Sequence, residues 1–225
     1  MTELSTRKPT VALLGTGTMG AGMARNIAAA GLPLRVWNRD GAQDRPLAEA
    51  GAVVTSTVAE AVSGADVVLT MLFDAACVAE VIGRAGDALA PGTIWVQSST
   101  VGVEGMDQVA KLAAERDLIL VDAPVLGTKK LAEKGTLVVL AAGPEQVRSQ
   151  LEPLFTAIGS RTMWVGPNGA NGAATRLKLV ADGWEYVVLD GVAQSRRMTK
   201  AFGLEPALFL EAIKGRAVVT GGRAR

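Results

Sequence analysis

The stretch V11-A-L-L-G-T-G-T-M-G20, continued by AGMARNIAAAG as far as Gly31, decides how this chain is read. Four apolar residues run directly into Gly15-Thr16-Gly17-Thr18-Met19-Gly20, after which apolar residues recur at helical spacing. GxGxxG by itself is a weak signal, because glycine-rich turns are common. Between a buried strand and a helix it reads as a dinucleotide-binding corner. Gly15 allows the tight turn, Gly17 lets the backbone approach a pyrophosphate, and Gly20 lets the helix pack closely on the strand. The amides of the opening helical turn, around Thr16, Thr18 and Met19, face the phosphates. The alternative is an ordinary strand–turn–helix corner.

Outward from this corner, short apolar runs alternate with amphipathic stretches. Strands are predicted at 11–14, 34–37, 52–54, 67–72, 93–96, 118–121, 137–141 and 162–165. Helices are predicted at 19–30, 42–50, 58–63, 75–88, 104–115 and 144–157. Seven of the eight runs are rich in Val, Ile and Leu without period-two alternation, so they read as buried on both faces of a largely parallel sheet. The expected class is α/β, a Rossmann-type doubly wound domain over residues 1–166. After the loop signal Gly166-Pro167-Asn168-Gly169, Leu177, Val180, Trp184, Val187 and Val188 recur at helical spacing, giving one long helix to about Lys200. Gly203 fits its stop and Pro206 the first turn of a second helix to about Lys214. Residues 167–225 thus form a partial all-α segment, and 215–225 read as a frayed Gly- and Arg-rich tail.

Composition narrows the chemistry. The 225 residues are 49% hydrophobic and carry a formal net charge of +1, which suits a packed globular core and gives no reason to expect nucleic acid or an anionic membrane as partner. One cysteine, Cys77, leaves no disulfide framework and no cysteine-rich metal site. Histidine is absent, so no Ser-His-Asp triad, histidine-ligated metal or imidazole acid/base exists in the chain. No metal site is expected. The polar amino terminus does not resemble a signal peptide and no apolar run spans a membrane, so the expected location is cytoplasmic.

The second predicted strand selects the nucleotide. NAD sites place Asp or Glu at its end to accept hydrogen bonds from the ribose 2′-hydroxyl. Here Trp37 is followed by Asn38-Arg39-Asp40. A neutral Asn and a guanidinium suit a 2′-phosphate, which favours NADP (NADPH) over NAD. The competing account is a solvated arginine neutralised by Asp40.

Three groups of residues then occur in a telling order. They are Gly15–Gly20 in its strand–helix context, Asp122-Ala123-Pro124-Val125 ahead of Gly135-Thr136-Leu137, and Gly169-x-x-Gly172 ahead of Lys178. In these the chain resembles the β-hydroxyacid dehydrogenase family, which includes 3-hydroxyisobutyrate dehydrogenase and is related to 6-phosphogluconate dehydrogenase. The resemblance covers about 10–214. It implies hydride transfer between nicotinamide and a 3-hydroxy acid or its semialdehyde, with Lys178 as general acid/base. From the residues alone, Lys178 reads equally as a surface lysine sharing a helix face with Asp182 and Glu185. The resemblance further implies that Met71, Leu72 and Phe73 border the cofactor ribose and that Ser99 and Thr100 lie near the nicotinamide and substrate. Cys77 reads as a buried small hydrophobe, and Lys129 and Lys130 as an exposed loop.

The chain departs from the family pattern at three places. Leu126-Gly127-Thr128 stands where Ser-Gly-Gly usually holds the substrate carboxylate, so that task falls to backbone amides and Thr128. Asp182 stands in place of the substrate-binding Asn and repels a carboxylate. The chain also ends before the family's later helices. The expectation is therefore an NADP-dependent oxidoreductase acting on a small-molecule substrate, a homodimer paired through its long helix. The alternatives are a shortened non-catalytic NADP-binding protein and an imine reductase-like enzyme, the latter disfavoured by Lys178.

Overall fold

The computed structural model describes residues 7–41 and 45–214. The chain start before residue 7, residues 42–44 of the predicted second helix and the tail at 215–225 lie outside the described residues. Two compact units divide the chain, Met1–Leu179 and Val180–Arg225.

In the first unit, β1 (Val11–Leu14), β2 (Leu34–Trp37), β3 (Val53–Val54), β4 (Val67–Thr70), β5 (Ile94–Gln97) and β6 (Ile119–Asp122) pair in parallel in the order β3-β2-β1-β4-β5-β6. The connections are α1 (Gly20–Ala29), α2 (Arg45–Glu49), α3 (Val58–Val62), α4 (Ala75–Gly83) and α5 (Gly102–Glu115). Strand order reverses between β1 and β4, which leaves a crevice beyond their carboxyl ends. The sheet continues through β7 (Val125–Leu126), β8 (Leu137–Ala142) and β9 (Gly159–Gly166). Both β6 and β7 meet β8 antiparallel, whereas β9 runs parallel to it. Two further helices belong here, α6 (Lys129–Glu133) and α7 (Arg148–Ile158).

Alternate residues of each central strand feed opposite cores, as the pleat requires. Val11 and Leu13 join Met23 and Ile27 of α1 and Leu151, Leu154 and Phe155 of α7. Ala12 and Leu14 join Val62 of α3, Val78 and Ile82 of α4 and Met106 and Val109 of α5. Both faces are covered, which is why these strands are predominantly apolar. The outermost strands correct the expectation of two-sided burial: Val53 is 59% exposed, and most of β9 is half-buried. Lys129 and Lys130 also differ from expectation, since they open the short helix α6. Gly22 of α1 lies against the backbone of Ala132, and Asn26 Nδ2 donates to the Ala132 carbonyl at 2.7 Å, so α6 docks on α1.

The helix α8 (Ala173–Ala201) starts four residues earlier than its apolar stripe suggests, and from Val180 onward it belongs to the second unit. It ends in a Schellman-type turn: Gly203 adopts φ +73°, and the Gly203 and Leu204 amides donate to the carbonyls of Lys200 and Thr199. Pro206 opens α9 (Pro206–Ile213). No described helix is long and apolar enough to cross a membrane.

Candidate functional site

A cleft of about 600 Å³ lies beyond the carboxyl ends of β1, β2, β4 and β5. Its lining brings together Gly15, Gly17, Thr18 and Met19 from the first turn, Asn38 and Arg39 from the second, Met71, Leu72 and Phe73 after β4, and Thr100 after β5. Trp37, Asp40, Cys77 and Val81 complete it.

The first turn is shaped by its glycines. Gly15 has φ +102°, and a β-carbon there would collide with the Met71 carbonyl oxygen. Its amide donates to Trp37 O at 2.9 Å, tying the turn to β2. Gly17 is exposed, with no described heavy atom within 4 Å of where a β-carbon would stand. Gly20 allows close packing as expected, but mainly on a different partner: a β-carbon would strike the Gly15 carbonyl, and the strand residue Leu13 stands 3.8 Å away. Met19 occupies the cap position of α1, and no side chain caps that helix. An exposed glycine beside an uncapped helix start fits a pyrophosphate, which would take its hydrogen bonds from those amides. Thr16 and Gly20 are buried and do not line the cleft.

At the second turn, Asn38 is half-buried and its Nδ2 donates to Asp40 O at 3.3 Å. Arg39 is exposed, with Nη2 3.8 Å from Cys77 Sγ. Cys77 is thus a half-buried cleft residue rather than a core one. It lies in the first turn of α4, which Asp74 caps by accepting from the Cys77 amide at 2.8 Å. That bond holds the Asp74 carboxyl below the usual carboxylate range, with a smaller contribution from the Arg39 charge.

The third wall rests on a buried polar network. Thr70 Oγ1 donates to Gln97 Oε1 at 3.0 Å and accepts from Trp95 Nε1 at 3.1 Å. Gln97 clamps the Ser99 backbone from both sides, donating to its carbonyl at 2.7 Å and accepting from its amide at 2.9 Å. Ser99 Oγ in turn accepts from the Leu72 amide at 2.8 Å. Ser99 was expected at the substrate, yet it is fully buried and instead holds the Leu72 segment in place. Its neighbour Thr100 is exposed and lines the cleft. Phe73, 89% exposed, forms a projecting lip.

The remaining expected residues lie outside this lining. Leu126 is half-buried against the small core around Leu140 and Ala142. Gly127 has φ +138°, and Thr128 sits exposed at the cap position of α6 with no capping hydrogen bond from its side chain. Lys178 and Asp182 are half-buried on α8, Lys178 in the first unit and Asp182 in the second.

One ionisable residue escaped the sequence reading as an individual. Asp122, at the end of β6, is fully buried and accepts from the Thr175 amide at 2.8 Å and from Thr175 Oγ1 at 2.7 Å. Burial pushes its carboxyl above the usual range, while the hydrogen bonds from Thr175 and Ala174 pull it back. A lone acid closing an apolar strand was the available signal, because such a group needs partners.

Residues 10–166 match the NAD binding domain of 6-phosphogluconate dehydrogenase. The chain is 32% identical over 204 residues to the oxidoreductase YfjR of Bacillus subtilis, covering 89% of this chain and 71% of that protein. It is 33% identical over 208 residues to the NAD-dependent L-serine dehydrogenase of Pseudomonas aeruginosa, covering 91% and 68%. Among solved structures, the 3-hydroxyisobutyrate dehydrogenase of Mycobacterium tuberculosis with L-serine superposes with a TM-score of 0.84 at 28% identity, covering 95% of this chain and 74% of that one. A glycine turn at the strand-order switch point, a family match across the whole parallel sheet and these relatives lead to one assignment: the chain belongs to the β-hydroxyacid dehydrogenase family, built on an NAD(P)-binding domain of the 6-phosphogluconate dehydrogenase type.

Proposed function

We propose that this chain is an NADP-dependent oxidoreductase that exchanges a hydride with a small 3-hydroxy acid or the corresponding semialdehyde. The carrying observation is the convergence of the Gly15–Met19 turn, Arg39, the Met71–Phe73 segment and Thr100 on one cleft. The bound dinucleotide supplies the hydride acceptor or donor at its nicotinamide ring. Amides at the start of α1 hold the pyrophosphate, and exposed Gly17 leaves room for it. Arg39 neutralises a 2′-phosphate, and Met71–Phe73 border the ribose. Thr100 lies on the nicotinamide side. Lys178 takes the proton from the substrate hydroxyl during oxidation and returns it during reduction, acting as general base and general acid in turn. Leu126 offers no side-chain hydrogen bond, so the Gly127 and Thr128 segment receives the substrate's polar end.

Arg39→Ala tests the cofactor, and Lys178→Ala tests the chemistry. A charge-assisted hydrogen bond to phosphate contributes about 1.5–3 kcal/mol. Exposure puts Arg39 near the lower bound, so Arg39→Ala removes roughly a tenfold preference for NADPH over NADH, read by fluorescence titration. Lys178→Ala lowers turnover on a semialdehyde panel by about 10²–10⁴-fold and leaves NADPH affinity intact. Equal cofactor preference in wild type and Arg39→Ala rejects the first assignment, and full turnover in Lys178→Ala rejects the second.

A non-catalytic NADP-binding protein is the second reading. Lys178 and the Leu126–Thr128 segment do not line the cleft, which favours it. Tight NADPH binding without turnover on any semialdehyde selects it. We further propose that the second unit pairs with another copy of the chain, because Val180, Trp184, Tyr186 and Val187 are each more than half exposed.

A further inference from the structure

We infer that Asp122 is a positioning residue, which seats the first turn of α8 and so fixes the direction in which Lys178 projects; this rests on the reading of Lys178 as acid/base. The amides of the first residues of any helix have no partner within it. A side chain at the residue before the helix usually serves one of them. Here that residue is Gly172, in the left-handed conformation at φ +60° and without a side chain. The first bond within this turn runs from the Arg176 amide to Gly172 O at 3.0 Å, which leaves the Thr175 amide unserved by the helix. Asp122 supplies the acceptor from a strand 53 residues away, at 2.8 Å, and takes the Thr175 hydroxyl on its other oxygen at 2.7 Å. Two bonds to one residue fix rotation as well as position.

The approach to the helix is equally constrained. Gly169 is buried so closely that a β-carbon would collide with the Leu120 carbonyl of β6, and Gly172 packs on Met106 of α5. The Gly169-x-x-Gly172 pair and Asp122 therefore act on the same helical start. Lys178 follows Thr175 by three residues, so the two share a helix face. A register slip of one residue would rotate that face by about 100° and move it by about 1.5 Å along the axis.

A merely stabilising cap and a positioning residue differ in what they change. The test compares full-length wild type, Asp122→Asn, Thr175→Val, Thr175→Ser and Lys178→Ala for kcat and KM on a semialdehyde and for NADPH affinity. Asp122→Asn removes the charge and leaves a single acceptor oxygen, so both bonds weaken and the one to the Thr175 hydroxyl must reverse direction. Thr175→Val removes the hydroxyl at similar volume. Both should lower kcat by about ten- to a hundredfold, the scale expected for a misplaced catalytic group. NADPH affinity should be unchanged, and Thr175→Ser should restore the rate. The mild Thr175 pair also covers the case in which Asp122→Asn does not fold. Independently of turnover, acylation of Lys178 followed by peptide mapping should change in rate in Asp122→Asn or Thr175→Val, while that of Lys111 on α5 should not. Unaltered kcat and Lys178 labelling in folded Asp122→Asn and Thr175→Val, with Lys178→Ala inactive, overturns the positioning role alone. Full turnover in Lys178→Ala overturns the underlying reading, and the positioning role with it.

Discussion

Gly15→Ala and Gly17→Ala, two residues apart in one turn, should have opposite effects on stability and separate folding from binding. At Gly15 a β-carbon meets the Met71 carbonyl, and φ of +102° is unfavourable for any L side chain. Backbone strain of this kind costs about 1–3 kcal/mol, and overpacking typically adds about 1–3 kcal/mol. For a chain of this size each kcal/mol shifts Tm by about 2–4 °C, so Gly15→Ala should melt on the order of 10 °C below wild type. At Gly17 the same carbon meets no described atom and φ is not in the strained positive range. Alanine there restricts the unfolded chain and should leave Tm unchanged or raise it by about 1–4 °C. The added methyl nevertheless stands where the pyrophosphate must approach. Loss of one charge-assisted hydrogen bond weakens NADPH binding by roughly ten- to a hundredfold. Differential scanning fluorimetry without cofactor, paired with NADPH titration, reads both quantities. Wild-type NADPH affinity in Gly17→Ala would falsify the placement of the pyrophosphate, and a Tm drop in Gly17→Ala matching that of Gly15→Ala would refute the steric argument.

Cys77 lines the cleft beside Arg39, so NADPH at about a hundred times its Kd should slow alkylation of this thiol by about a hundredfold; an unprotected thiol places the dinucleotide elsewhere. Dynamic light scattering at micromolar concentration should show a dimer, and Val187→Lys, at a side chain 71% exposed, should yield monomer. Burial raises the Asp122 carboxyl, so the native state takes up this proton at a higher pH than the unfolded chain does. That contribution is complete below the unfolded value of about 3.9 and is lost as pH rises through the folded value. Urea unfolding between about pH 3 and 7 should therefore show the stability of wild type relative to Asp122→Asn falling as pH rises, and a pH-independent difference counts against it.

Legibility followed range. The Gly15–Gly20 corner, the apolar strands and the Gly203 stop were readable because each depends on a few adjacent residues. The two-residue β7 and five-residue α6 were not, since neither is long enough to display a period. Cys77 sits in an apolar stretch and reads as core, but the way α4 lies turns it toward the cleft. Ser99 and Thr100 are indistinguishable in sequence as polar neighbours after a strand. The Gln97 clamp buries one hydroxyl and leaves the other residue exposed.

The sequence by itself determined the class of the fold, the dinucleotide corner and the residues able to form the cleft, because strand–helix alternation and glycine-dependent turns are local properties. Only the tertiary structure decided that four separate turns share one cleft, that Ser99 supports its wall and that Asp122 holds Thr175. These outcomes depend on which strand ends become neighbours, and the parallel order β3-β2-β1-β4-β5-β6 joins segments distant in the chain. A buried carboxylate must find donors wherever packing delivers them, and here packing delivered the start of α8.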